Sequence, residues 1–167
     1  MGVRVGKYKR YRLDGTLIVE GKYDNNYQDG TWTYNDSDKK KVKEEIYEHS
    51  VLLKVVDWDK KGQKVSESIR SDTGYNMWRN MTWYNNGNKK KSCTYKSLGL
   101  EGKYTEWFFG GGKRCEGLMR NDKMDGKWFF WYSNGQIALE CDFDYGNLIN
   151  NAKIYHDNGL LKEEVKL

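Results

Sequence analysis

The stretch FFWYSNGQIALECDF, residues 129–143, places apolar and aromatic residues on both sides of an Asn-Gly pair. Asn-Gly between two such runs is the strongest short-range signal for a tight β-hairpin, because both residues tolerate the positive φ of a two-residue turn. The stretch therefore predicts two antiparallel strands that meet at Asn134 and Gly135. Its many rings raise the question of whether both faces of the hairpin are apolar.

The same hairpin pattern recurs along the whole chain at a nearly constant interval. We call the last residue of each turn, such as Gly135 of YSNG, its landmark. Successive landmarks are separated by 23, 24, 25, 25, 23 and 24 residues. A fixed period of this length indicates a repeat array. The seven landmarks are Gly15, Asp38, Gly62, Gly87, Gly112, Gly135 and Gly159.

An aromatic residue stands four positions before every landmark. Aromatic residues make up only 15% of the chain, so seven matches in seven repeats are not accidental. Side chains alternate between the two faces of a strand, so we expect these rings to share one face and to form the core. They are Tyr11, Tyr34, Trp58, Trp83, Phe108, Trp131 and Tyr155, joined two positions earlier by Trp32, Met81 and Phe129.

Two segments depart from the pattern. Asp38 replaces the turn glycine of the second repeat, and we expect a longer or distorted loop there, since Asp tolerates the left-handed region. The segment 39–58 has a rough helical spacing of apolar residues, which leaves a helix as the alternative. We predict strands there because the period passes through it undisturbed.

A looser reverse turn, such as NDKMDG at 121–126, is expected to end each repeat.

These observations predict an all-β protein, an elongated antiparallel meander of about seven stacked β-hairpin repeats that fills 1–167 as a single array. About 14 strands spaced about 4.8 Å apart would make a sheet of roughly 65–70 Å. The expected sheet is a single twisted ribbon that is free to curl on itself.

The spacing of the repeats resembles that of a known family. The stretches DGKWFFWYSNGQIALECDF and DGTWTYNDSD carry the best match to the G-x-W-x-x-Y-x-x-x-G spacing of MORN-type repeats. The Asn-Gly turn followed by a Glu-containing strand is similar to the bacterial MORN repeat variant, which is often described as antitoxin-like. The resemblance implies a meandering antiparallel β array and little chemistry.

Composition excludes several classes of protein. No run of eighteen apolar residues is present, so we expect no membrane-spanning helix. The N-terminus has no apolar stretch of signal-peptide length, which predicts a cytoplasmic protein and leaves a removed export signal as the alternative. The net charge of +5 is a mild basic bias, so nucleic acid is disfavoured as a partner.

No combination of residues in the sequence has the spacing of a catalytic or metal site. His49 and His156 lie 107 residues apart, more than four repeats. Cys93 and Cys141 occupy the same slot two repeats apart, too far for a disulfide, and we expect Cys115 to face the other side of its strand. We therefore predict that the protein is not an enzyme and uses no metal and no cofactor.

A glutamate recurs five positions after the landmark in four repeats. Residues one repeat apart on neighbouring hairpins are about 10 Å from each other, too far for a pair of catalytic carboxylates in consistent geometry. We expect a fixed structural role for these residues, which are Glu20, Glu67, Glu140 and Glu164.

Basic residues cluster at or just after the turns. Stacked repeats would place them along one edge, where an acidic protein face or anionic phospholipid could bind. The alternative is that lysine keeps the turns soluble and protects strand edges. The predicted basic edge consists of Lys40, Lys41, Lys61, Lys64, Lys89, Lys90, Lys91, Lys113 and Arg114.

The fourth to sixth repeats carry further rings outside the predicted core positions. We expect them to form one contiguous aromatic strip, which is either covered by the curl of the sheet or used as an interface. The predicted partner-binding residues are Tyr84, Trp107, Phe109, Trp128, Phe130 and Tyr132.

These features favour a non-enzymatic repeat scaffold that binds a protein through the aromatic strip. The resemblance implies that the partner is a toxin or effector and that the chain acts as an antitoxin or immunity protein. The alternative is a scaffold that binds a membrane surface through the basic edge. The same aromatic strip would also serve a homodimer.

Overall fold

The computed structural model describes residues 2–71, 76–97 and 99–166, and these residues form fourteen β-strands. No helix occurs among them, so none of the described residues lies in a helix that could cross a membrane. The predicted all-β meander of hairpin repeats is confirmed. Segment 39–58 forms strands, as predicted, and the helical alternative is wrong there.

The strands fall into two compact units, Met1–Arg70 and Ser71–Leu167, in which each strand pairs antiparallel with its neighbours in chain order. The assignment of 1–167 to a single array stays a prediction. Unit 1 contains β1 (Gly6–Tyr11), β2 (Leu17–Asp24), β3 (Tyr27–Asn35), β4 (Lys41–Glu48), β5 (Val51–Trp58) and β6 (Lys64–Arg70). Unit 2 contains β7 (Trp78–Trp83), β8 (Lys89–Lys96), β9 (Gly99–Trp107), β10 (Lys113–Arg120), β11 (Lys123–Trp131), β12 (Ile137–Asp144), β13 (Asn147–Tyr155) and β14 (Leu161–Val165).

The landmark turns are three-residue loops, and the prediction of two-residue turns at these positions is wrong. In the first repeat the Gly15 amide donates to the Arg12 carbonyl at 3.1 Å, and the Arg12 amide donates to the Thr16 carbonyl at 2.8 Å. Within this loop only Gly15 has a positive φ, of 81°. A type I turn followed by one left-handed residue has this geometry, so a single glycine is sufficient.

In the structure, the landmark of each loop is its residue with a positive φ. Two landmarks lie one residue from their predicted positions. In the second repeat Lys39 takes the positive φ, 62°, and in the fifth repeat Gly111 takes it, 96°. Each of these amides donates to the carbonyl three residues earlier, at 3.3 and 2.9 Å. Asp38 and Gly112 are therefore not the landmarks, and the loop at Asp38 is neither longer nor distorted, because it makes the same bonds as the others.

Two-residue turns occur at the opposite ends of the hairpins, where looser turns were predicted. Asn25 and Asn26 have φ of 48° and 72°, and Asn121 and Asp122 have φ of 48° and 64°. Two consecutive positive values are typical of a type I′ turn. The Asn26 amide also donates to the Arg4 carbonyl at 2.9 Å, so the turn is bonded to backbone 22 residues earlier.

The core of unit 2 lies on the face of β11 that carries Trp128, and for this unit the prediction that the rings before the landmarks form the core is wrong. Trp128 is 1% exposed and stacks on Phe130 with ring centroids 6.0 Å apart. Phe129 and Trp131 lie against each other on the opposite face. In unit 1 the residue that corresponds to Trp128 is Trp32, which is 3% exposed, so the prediction that Trp32 belongs to the core is confirmed.

Candidate binding surfaces

One face of unit 2 is apolar, and we call it the apolar face. Its centre is a group of four buried residues, Cys115, Trp128, Cys141 and Ala152. Partly buried apolar side chains surround this centre and extend the face across β9 to β14. They are Tyr104, Met119, Met124, Phe130, Leu139, Phe143 and Val165.

Trp128 is held in the apolar face by a contact that only glycine permits. A Cβ on Gly117 would lie 2.3 Å from Cδ2 of the Trp128 indole, so the ring packs directly on the backbone of β10. The indole Nε1 donates to the Leu118 carbonyl at 3.0 Å. Unit 1 repeats the arrangement with Gly21 and Trp32, also at 2.3 Å. In the sequence, this glycine–tryptophan contact is marked by a glycine six positions after one corrected landmark and a tryptophan seven positions before the next landmark.

The structure divides the six predicted partner-binding residues among three places. Trp128 and Phe130 lie in the apolar face, whereas Trp107 lies on the opposite face with the Lys89 ammonium 5.7 Å from its ring centroid. The other three, Tyr84, Phe109 and Tyr132, lie at the turns. The six rings therefore do not form one contiguous strip, and their role in binding remains a prediction.

The turn residues among them bond one hairpin to the next. The Tyr84 hydroxyl donates to the Trp107 carbonyl at 2.8 Å, and the Tyr132 hydroxyl donates to the Tyr155 carbonyl at 2.8 Å. Phe109, which is 56% exposed, packs edge-on against Tyr84 at 5.3 Å. These tyrosines face the neighbouring backbone because the carbonyl at the strand end needs a donor.

Three of the rings four positions before a corrected landmark, Trp58, Trp107 and Trp131, lie under a lysine of the preceding hairpin. Lys113 shows the pattern in unit 2, with its ammonium 5.4 Å from the Trp131 ring centroid and 2.8 Å from the Glu116 carboxylate. In unit 1, Lys41 lies 3.9 Å from the Trp58 centroid and 3.2 Å from Glu44. Glu44 and Glu116 join the glutamates five positions after a landmark once the landmarks are corrected. Of the predicted glutamates, Glu67 makes the same pair with Lys64, whereas Glu20 pairs with Lys9 and Glu140 accepts from the Tyr155 hydroxyl. The prediction of one fixed role for all of them is therefore not confirmed.

Most of the predicted basic edge is engaged within its own unit. Besides Lys41, Lys89 and Lys113, the ammonium of Lys40 donates to the Lys60 carbonyl at 2.8 Å, and Lys64 pairs with Glu67 at 3.2 Å. Further contacts join Lys90 to the Tyr84 ring and Arg114 to Glu106. Among the described residues, no ion pair or ring contact is found for Lys61 and Lys91. Binding by this edge stays a prediction.

A buried carboxylate lies in unit 1 among three donors. Glu45 is 7% exposed; its Oε2 accepts from the Tyr34 hydroxyl at 2.5 Å and from the Tyr47 hydroxyl at 2.9 Å, while Lys43 pairs with Oε1. Burial by itself raises the pKa of Glu45, but the bonds from Lys43, Tyr34 and Tyr47 outweigh it and hold the pKa below its usual 4.5. Burial and the bond to Glu45 raise the pKa of Tyr47 to about 12.

We expect this group to contribute to stability over a defined pH range. The Glu45 contribution is present above pH 4.5 and is lost as the pH falls through the lowered pKa of the folded state. The Tyr47 contribution is present below pH 10.0 and is lost as the pH rises toward its raised pKa. Urea midpoints measured across pH should show both losses, and Glu45→Gln should reduce the acid-side loss; a part should remain, because bonds from Lys54 and Lys64 also lower the pKa of Glu67.

Exposed Glu48, on the same strand, supplies the control: Glu48→Gln should keep the pH profile of the unchanged protein. Identical acid-side profiles for Glu45→Gln and the unchanged protein would contradict the role assigned to Glu45.

The three cysteines are free and buried, and they share one face. Cys115 and Cys141 belong to the buried centre of the apolar face, and Cys93 lies opposite Tyr104, which packs against that centre. The prediction that Cys115 faces the other side is wrong, because its landmark is Gly111. Burial raises the pKa of all three thiols. Within the described ranges, no group of three or more His, Cys, Asp or Glu residues could hold a metal ion.

Two segments of the chain match a known family of repeats. The family model of the MORN repeat variant matches residues 4–25 and residues 124–145. The two matches contain β1 with β2 and most of β11 with β12, which are the hairpins that carry landmarks Gly15 and Gly135. No curated protein matches the chain significantly.

MORN repeats are a non-catalytic scaffold, and they bind proteins or membrane lipids. The matched segments lie in different units. Both contain the three-residue landmark loop, and both have a glutamate five residues after the landmark. At these two places the chain is similar to MORN-variant repeats.

Proposed function

We propose that the chain is a non-enzymatic scaffold that binds a protein partner through the apolar face of unit 2. The observation that carries the proposal is the set of seven partly buried apolar side chains around the buried Trp128 centre. A face of this kind has the composition of a protein interface, because aromatic residues and methionine are common among its side chains. Met119 and Met124 add flexible side chains that adapt to the shape of a partner.

The border of this face supports a protein as the occupant. Arg114 and Glu106 lie beside Cys115, with the guanidinium 3.5 Å from the carboxylate. Charged side chains of both signs around an apolar centre are typical of protein interfaces, whose borders are polar and hydrated.

The alternative, binding of a membrane surface through the basic edge, has less support. Anionic lipids attract clusters of Lys and Arg that are near the membrane surface. Here Lys41, Lys64 and Lys113 each have a glutamate partner, so part of the positive charge of the edge is already balanced. These exposed pairs are weak, and the balance therefore reduces the attraction rather than abolishing it.

Met119→Lys should weaken partner binding while the fold is retained, because it places a charge on the apolar face at a partly buried position. The matched control is Leu13→Lys, since Leu13 is a fully exposed residue of a landmark loop in unit 1. The chain is used as bait in native extract, the captured protein is purified, and its affinity is measured by calorimetry. We expect at least about a tenfold loss for Met119→Lys and no change for Leu13→Lys.

Equal affinity of both variants for the purified partner would contradict the proposal. Salt-sensitive co-sedimentation with phosphatidylcholine vesicles containing phosphatidylserine, lost in Lys61→Glu and Lys91→Glu, would support the membrane alternative. A toxin is the partner suggested by the resemblance to antitoxin-like repeats. For that case, co-expression should restore growth with the unchanged chain and should fail with Met119→Lys.

A further inference from the structure

We propose that the β14 edge of one copy of this chain pairs with the β1 edge of a second copy. Among the described residues, β1 pairs with β2 alone and β14 pairs with β13 alone, so each strand has one side without a backbone partner. Strand edges of this kind are templates for another strand. β14 also contributes Val165 to the apolar face, but the pairing uses the backbone edge of the strand. The inference does not depend on the proposed function.

The register of such a pairing follows from the repeats themselves. Within each unit, the second strand of a hairpin pairs with the first strand of the next hairpin. In these pairs the residue four positions after one landmark lies opposite the residue five positions before the next landmark, as Cys115 lies opposite Phe130. All five described pairs of this type are complementary, either apolar with apolar or lysine with acid. They are Val19 with Tyr34, Lys43 with Asp57, Lys91 with Glu106, Cys115 with Phe130, and Leu139 with Ile154.

The same rule applied to β14 and a second β1 places opposite charges together. Glu163, four positions after Gly159, would lie opposite Arg10, five positions before Gly15. The next pair would join Glu164 to Lys9. Within unit 2 the corresponding pair is Glu140 with Lys153, and Lys153 also lies opposite Glu164 on its other side. Directly opposed charges of opposite sign stabilise a strand pair, and like charges destabilise it.

Exposed apolar side chains on the two edges are also complementary. Rings such as Trp131 lie beneath the side chain that comes two positions after the landmark of the preceding hairpin. Tyr11 takes the corresponding place in the first repeat, but it is 53% exposed. Leu161 takes that second position after Gly159 and is also 53% exposed. Pairing of the two edges would bring Leu161 over Tyr11, as Lys113 lies over Trp131.

The turn at Gly159 carries a side chain that would bond the second copy. In unit 2 the Asn86 amide donates to the Phe109 carbonyl at 2.9 Å, and the Asn134 amide donates to the Asp157 carbonyl at 2.7 Å. Asn158 takes the corresponding place in its turn, and the carbonyl of Leu13 would be its acceptor. Backbone register, charge, apolar contact and turn bonding thus all select β1 as the strand that fits β14.

The predicted contact is head-to-tail, because the two edges differ. A heterologous contact of this kind propagates into longer assemblies unless the rotation closes a ring. We therefore expect the protein to form oligomers whose size increases with concentration, as measured by sedimentation velocity. High salt should weaken the assembly, since two exposed charge pairs contribute to it.

Charge reversal at one residue of each edge tests the pairing. Arg10→Glu and Glu163→Arg should each weaken association at least about tenfold, because each places like charges opposite one another. The double variant Arg10→Glu/Glu163→Arg should associate again, because the pair is restored with its signs exchanged. Lys103→Glu and Glu48→Arg, at exposed positions on strands away from both edges, are matched controls and should associate normally.

Circular dichroism establishes that each variant keeps its β structure. A protein that is monomeric at every concentration would overturn the proposal. Oligomers that persist unchanged in Arg10→Glu and Glu163→Arg would overturn it as well, and Met119→Lys then shows whether the apolar face holds them together. A double variant that is no better than the single ones would also contradict the predicted register.

Discussion

Trp128→Ala is expected to lower the free energy of unfolding by about 3–5 kcal/mol, the range for removing a buried tryptophan. Trp128 is 1% exposed and is the centre of the apolar face, so its loss leaves a cavity that neighbouring side chains fill only in part. The Leu118 carbonyl also loses the indole donor. Urea denaturation followed by circular dichroism measures the effect.

Trp131→Ala is the matched control on the opposite face of the same strand. Trp131 is partly exposed and lies under the Lys113 side chain, so its replacement should cost clearly less than that of Trp128. Equal losses for the two variants would mean that both faces are core and would contradict the assignment of the apolar face.

Gly117→Ala is expected to cost about 3 kcal/mol or more, at the upper end of the range for overpacking. The added Cβ would lie 2.3 Å from the Trp128 indole. It is attached to the backbone of β10, which cannot move without breaking the pairing with β9 and β11. The indole must therefore leave its position. The measurement is the change in unfolding midpoint in urea.

Gly110→Ala is the control for the glycine substitution itself. Gly110 has no atom within 4 Å of an added Cβ and no positive φ, so alanine there should be neutral or stabilising by a few tenths of a kcal/mol to about 1 kcal/mol. In the Trp128→Ala background, Gly117→Ala should cost little, because the clash is gone. A full cost of Gly117→Ala in that background would show that the contact with Trp128 is not its cause.

The repeat period and the hairpins were predictable from the sequence because turn chemistry is local. Glycine in six of the seven landmark loops, alternation of apolar residues and the absence of proline are all features that act on neighbours within a few positions. Segment 39–58 shows the strength of the period, since it predicted strands despite apolar spacing that also suits a helix. The MORN-variant resemblance was visible for the same reason. Of the two stretches that carried it, 125–143 lies in a segment that the family model matches, whereas 29–38 lies outside the matched segments.

The location of the core could not be read from the same pattern. Side chains on a strand alternate with a period of two, so an error of one residue in a landmark moves every residue of that strand to the other face. Choosing Gly112 instead of Gly111 placed Cys115 on the wrong side, and choosing Asp38 instead of Lys39 grouped Tyr34 with rings of the opposite face.

The sequence by itself determined the number of hairpins, their antiparallel order and the presence of rings in every repeat, because each follows from contacts between residues close in the chain. Only the tertiary structure decided which rings are buried. The indole of Trp128 is buried because Gly117, on the adjacent strand, leaves space for it, whereas Trp131 lies under a lysine of the preceding hairpin. Burial is set by what packs across from a side chain, and that neighbour is fixed by strand register rather than by the residue's own sequence position.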